Sequence, residues 1–118
     1  MTKLQVKSAF EILMLGMLGK SDDLFIAALS SDSVIYYKSE NARSRTEFKD
    51  DVLNEKLNFF DYKIIAFDFD DVNKAVVVMK LLSSRHGMSK RWWNMRIDLT
   101  FVDRNDKVKI CELRAENL

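Results

Sequence analysis

Apolar and polar positions follow two different periods along this chain, and the change from one to the other falls near Asp61. From Lys3 to Leu18, Val6, Phe10, Leu13, Met14 and Met17 recur at three- and four-residue spacing, with Lys3, Lys7 and Glu11 opposite them. That is the stripe of a helix packed on a core. Its last two turns are apolar nearly all round, which predicts burial on more than one side, and Gly19 suits the C-cap. Ser21 then reads as the N-cap of a second helix over Asp22–Leu29, with Asp22 and Asp23 complementing the dipole in its first turn. Ser30 to Ser33 ends that helix, and the β-branched and aromatic run Val34–Tyr37 predicts a short strand. After a polar loop, Ser44 and Glu47 form a capping box for a third helix that Phe48, Val52, Leu53 and Leu57 carry to about Asn58.

Beyond Asp61 the period is two. Strands are predicted over Tyr62–Phe69, Ala75–Leu82, Lys90–Val102 and Val108–Leu113. Turn residues join them at Asp70–Asn73 and Asp103–Asp106, and a hairpin loop over Ser83–Ser89 holds His86 and Gly87. Lys90–Val102 alternates most regularly: Trp93, Met95, Ile97, Leu99 and Phe101 share one face, and Trp92, Asn94, Arg96, Asp98 and Thr100 share the other. Helices grouped ahead of a run of consecutive strands mean α+β. The expectation is one domain over residues 1–118, with three N-terminal helices packed on a strongly curved antiparallel sheet, a cone with a central pocket.

Composition narrows the chemistry. The chain has 118 residues, 47% of them apolar, ordinary for a globular domain. Nineteen basic residues against eighteen acidic ones leave a net charge of +1, so no global field favours nucleic acid or an anionic membrane. One cysteine and one histidine provide neither a disulfide framework nor the usual zinc sets, so no metal or cofactor is expected. The apolar run Ile12–Leu18 is too short for a membrane span, and no small-residue cleavage site follows it. A cytoplasmic protein is expected.

The element order, together with Lys20-Ser21-Asp22-Asp23 through Ser31-Asp32-Ser33-Val34 and the hairpin Phe101–Ile110 with its Asp106-Lys107-Val108 turn, resembles the nuclear-transport-factor-2-like superfamily. That superfamily is built on a cystatin-like cone and includes polyketide cyclases and ketosteroid isomerase. The resemblance implies a catalytic base at the position of Tyr37, a Tyr on the first helix where this chain has none, and a hydrogen-bonding Asp at Asp98. The Arg-x-Asp of epoxide-hydrolase-like members would fall on Met79-Lys80-Leu81, and Arg96-Ile97-Asp98 lies one strand later.

Two readings of the long strand follow. In one, Asp98 is catalytic in an apolar pocket, and Trp92, Asn94, Arg96, Tyr37, Phe10 and Met14 bind a small apolar or carbonyl-bearing ligand. In the other, the same polar face is solvated and its ion pair contributes under about 1 kcal/mol. If Asp98 points inward, then Trp93, Met95, Ile97, Leu99 and Phe101 face outward and predict a homodimer through that apolar patch. Lys90, Arg91, Trp92 and Arg96 could serve as a nucleic-acid stripe, but the balanced charge argues against it. His86 is expected in an exposed loop and Cys111 as a small residue of the strand core. Two functional classes remain: a binding or assembly module without the superfamily's isomerase chemistry, or a cofactor-free cyclase- or isomerase-like enzyme using Asp98. The missing helix-one Tyr and base favour the module.

Overall fold

Thr2 and Gln5 open the first helix with a capping box, each side chain taking the other's backbone N–H, and α1 runs Lys3–Gly19. Its left-handed closing residue is Lys20 (φ 51°), one position later than the glycine expected there, and the Lys20 N–H returns to the Gly16 carbonyl. Gly16 has a steric reason to lack a side chain. A Cβ there would lie 3.1 Å from Leu24 Cβ, so glycine lets α2 (Asp22–Ala28) pack closely against α1. Ser21 caps α2, accepting from the Leu24 N–H at 3.4 Å.

The structure, a computed structural model, describes residues 1–37, 41–54, 57–85 and 88–118, the side chain of Arg85 excepted. The expectation for His86 falls outside the described residues. Six strands follow or interleave with the helices: β1 (Leu29–Tyr36), β2 (Arg43–Ser44), then α3 (Arg45–Leu53), β3 (Leu57–Phe69), β4 (Lys74–Arg85), β5 (Arg91–Arg104) and β6 (Lys107–Asn117). They form one sheet in the order β2-β1-β6-β5-β4-β3. The fold class is α+β. The sheet is mixed, because β1 runs parallel to β6 while all other pairings are antiparallel.

Strands are longer than local propensity predicts, because ladder hydrogen bonds carry the extended chain through polar residues. Leu57 and Asn58, expected at the end of a helix, pair with Arg85 and Ser84, expected in a loop. β-Bulges at Phe60, Ile65 and Cys111 bend and twist the sheet. The β3–β4 turn is held by Asp70, whose Oδ1 accepts from the Val72, Asn73 and Lys74 N–H groups at 2.8–3.0 Å. The β5–β6 turn puts Asn105 and Asp106 at φ 54° and 62°, the primed geometry that matches strand twist.

All three helices pack on one face of this sheet. Phe10, Leu13, Phe25, Phe48 and Val52 meet Met79, Val77, Ile97, Leu99, Phe101 and Ile110 in a single buried core. No helix among the described residues is long and apolar enough to cross a membrane.

Candidate functional site

The inner face of β5 is the apolar one. Met95, Ile97, Leu99 and Phe101 are buried and Trp93 is half-buried against the core. Trp92, at 50% exposure, lies with Asn94, Arg96 and Asp98 on the outer face. This reverses the sequence-based assignment. Each of the four fully buried apolar side chains (Met95, Ile97, Leu99 and Phe101) gains about 1.5–3 kcal/mol by burial, whereas a solvated Arg–Asp pair contributes about 0–1 kcal/mol. Hydrophobic transfer decides which face turns toward the helices. The five residues expected to form a dimer patch are therefore interior.

Asp98, expected in an apolar pocket, is 42% exposed at its side chain, where Arg96 Nη2 approaches Oδ1 at 3.3 Å. Register places Val76 and Arg114 on either side of it. Trp92, Asn94 and Arg96 cannot line an interior site from this face. Phe10 is fully buried against Phe67, ring centroids 6.1 Å apart.

The interior does contain a cavity, of about 50 Å³. Met14 and Met17 of α1, Phe59 of β3, Met79 of β4 and Trp93 and Met95 of β5 supply much of its wall. Tyr37, just past β1, reaches it together with Phe48 of α3, ring centroids 5.3 Å apart. Tyr36 points the other way and stacks under Arg114, whose guanidinium lies 3.9 Å from the ring centroid.

Among the described residues of this wall Tyr37 is the titratable one, and behind it stands a polar cluster that the sequence reading missed. Its hydroxyl donates to Asp51 Oδ2. Arg43 Nη2 reaches both oxygens of the same carboxylate, at 3.0 and 3.1 Å, and Arg43 Nη1 lies 3.3 Å from Glu47. Asp51 is only 5% exposed. A buried carboxylate needs such partners, and here a phenol and a guanidinium share it. Burial, then the hydrogen bond and charge of Asp51, push the Tyr37 phenol up to about 12. It stays protonated and is no nucleophile or base at neutral pH. A signal for Asp51 was present, since Phe48, Asp51 and Val52 lie at helical spacing on the buried side of α3.

Cys111 occupies the β6 bulge rather than the core. Its thiol donates to the Thr100 carbonyl at 3.4 Å, and burial raises its pKa. Glu112 lies on the outer face, 3.3 Å from Arg114. Among the described residues no three His, Cys, Asp or Glu side chains gather into a metal set.

No protein-family model matches the chain, and no curated protein matches it. Solved structures do. A nuclear-transport-factor-2-like protein from Cytophaga hutchinsonii superposes with a TM-score of 0.80 at 9% identity, covering 100% of both chains. A putative calcium/calmodulin-dependent kinase II association domain from Exiguobacterium sibiricum gives 0.78 at 13% identity, covering 98% of this chain and 92% of that one. A ketosteroid isomerase-like protein from Erwinia carotovora atroseptica gives 0.75 at 11% identity, covering 98% and 95%. At such identities the agreement is one of backbone path alone, and across three helices and a six-stranded mixed sheet it makes this chain a nuclear-transport-factor-2-like fold.

Proposed function

We propose that this chain is a non-catalytic assembly module that forms a homodimer through the outer face of its sheet. The observation that carries the reading is the contrast between the two faces. The interior is filled by Met, Phe and Trp side chains down to about 50 Å³, about a third of an engineered cavity that takes one benzene. A steroid or polyketide does not fit that space, and among the described residues it has no pair of convergent acids and bases. The cavity takes at most an apolar ligand of a few heavy atoms. A carbonyl-bearing ligand would compete with Asp51 for the Tyr37 proton.

The outer face is the larger resource. Arg96 and Asp98 on β5 lie directly opposite Val78 and Val76 on β4. A two-fold axis through this square sets Arg96 of one copy against Asp98 of the other and valine against valine, the self-complementarity an isologous contact needs. Exposed in the monomer, the ion pair is weak. Between two copies it loses water and gains in strength. The likeness to a protein described as an association domain supports the same reading.

Light scattering at micromolar concentration is expected to give twice the chain mass, and Val78→Glu to halve it. Arg96→Asp and Asp98→Arg are each expected to be monomeric alone and to form a heterodimer when mixed. A monomeric mass for the wild type overturns the proposal.

A further inference from the structure

Two lysines on the outer face stand where a stable sheet would not place them. Lys63 of β3 and Lys80 of β4 are directly opposite in the ladder, both exposed. Like charges at facing positions destabilise an antiparallel pair. Neither has an ion-pair partner among the described residues. Lys80 also faces Asn94 of β5, so the row reads Lys63, Lys80, Asn94: two cations and an amide.

The neighbouring row adds apolar surface. Leu82 of β4 pairs with Trp92, which is 50% exposed. Phe60, the bulge residue beside them, is 48% exposed with Lys90 Nζ 5.0 Å from its ring centroid. Unpaired cations beside uncovered aromatic and aliphatic groups describe half of an interface whose other half carries an anion next to a large apolar side chain.

We infer that this end of the outer face docks a short acidic segment of a partner protein. A carboxylate of the segment lies between Lys63 and Lys80 and accepts from the Asn94 amide, while its neighbouring Leu, Phe or Trp covers Trp92 and Leu82. Charge distribution selects this occupant over a polyanion. Asp61 and Asp68 bracket Lys63 along β3, and the net charge of +1 gives a nucleic acid or an anionic bilayer no wider field to follow. A single carboxylate needs only the local pair. The segment lies on the face rather than along the β3 edge, because the bulges at Phe60 and Ile65 interrupt the ladder that strand addition requires.

The site adjoins the two-fold contact proposed above, since Lys63 and Lys80 lie one row beyond Val78 and Arg96. The test is to pan a random-peptide phage library on the immobilised wild-type protein, with the Lys63→Glu/Lys80→Glu variant as counter-selection. Recovered peptides are expected to be rich in Asp and Glu beside Leu, Phe or Trp. Made synthetically, they are expected to bind the double variant ~tenfold or more weakly, as loss of a charge pair requires, and to lose affinity in Trp92→Ala as well. Thermal melts check that both variants are folded. Peptides without acidic enrichment, peptides bound equally by the variant, or no recovered peptide overturn the proposal. So does oligo-dT or a phosphatidylserine vesicle binding through Lys63 and Lys80 in their place. A change of mass in the double variant overturns it in favour of a second copy as the occupant, while failure of the homodimer alone leaves the peptide result standing.

Discussion

One strand shows two kinds of physics on its two sides. On β5, Met95, Ile97, Leu99 and Phe101 are packed at 2–6% exposure, while Arg96 and Asp98, interleaved with them, stay about half in water. Inside, each side chain is held by dispersion and by its exclusion from water, so its removal leaves a cavity. Outside, the same backbone carries groups whose mutual attraction is nearly cancelled by solvent. Stability therefore resides on the inner face. The outer face is free to vary without unfolding the protein, which suits a surface that meets other chains.

The steepest test of that contrast is Ile97→Ala, expected to cost about 2–5 kcal/mol in urea unfolding, as buried large-to-small changes do. A loss under about 1 kcal/mol would mean that the inner face is loosely packed. Next is Asp51→Ala, which leaves the Arg43 guanidinium and the Tyr37 hydroxyl without their shared acceptor. The expected cost is about 1–3 kcal/mol in the same measurement. An unchanged midpoint would show that water replaces the carboxylate easily and that the cluster is an outer-face kind of site despite its burial.

Tyr37→Phe is expected to cost about 0.5–1.5 kcal/mol at neutral pH and to change the pH dependence. The folded-state pKa of about 12 lies above the ordinary tyrosine value of 10.0. The stabilisation is therefore fully present below pH 10 and is lost as pH rises toward 12, where the unfolded chain ionises first. Thermal melts of the wild type should fall more steeply across that window than those of Tyr37→Phe. Parallel curves would remove Tyr37 as the cause. The smallest effect belongs to the outer face. At a concentration low enough to keep the chain monomeric, a double-mutant cycle on Arg96 and Asp98 should return a coupling under about 1 kcal/mol. A coupling of several kcal/mol would place that pair in a drier setting than its exposure indicates.

How much of this was legible beforehand varies by element. The capping box at Ser44, the Asp70 turn and the alternation of β5 are local features, written in residues that touch one another along the chain. The extensions of β3 and β4 through Asn58, Ser83 and Ser84 were not legible, because polar residues become strand only when a partner strand completes their hydrogen bonds. The parallel β1–β6 pairing has no local signal either, since it joins residues such as Ile35 and Leu113 that are distant in sequence.

The sequence by itself determined that β5 has an apolar side and a polar side, because alternation follows from the pleat of any extended chain. It also held the evidence for which side is inner, in the size of the five apolar groups. The burial energy of those groups outweighs the resemblance that implies a pocket-facing Asp98. What only the tertiary structure decided is the meeting of Tyr37, Arg43 and Asp51. Three elements must come together before one carboxylate can serve a phenol and a guanidinium at once. Such a cluster depends on distances through space, for which period and composition carry no information.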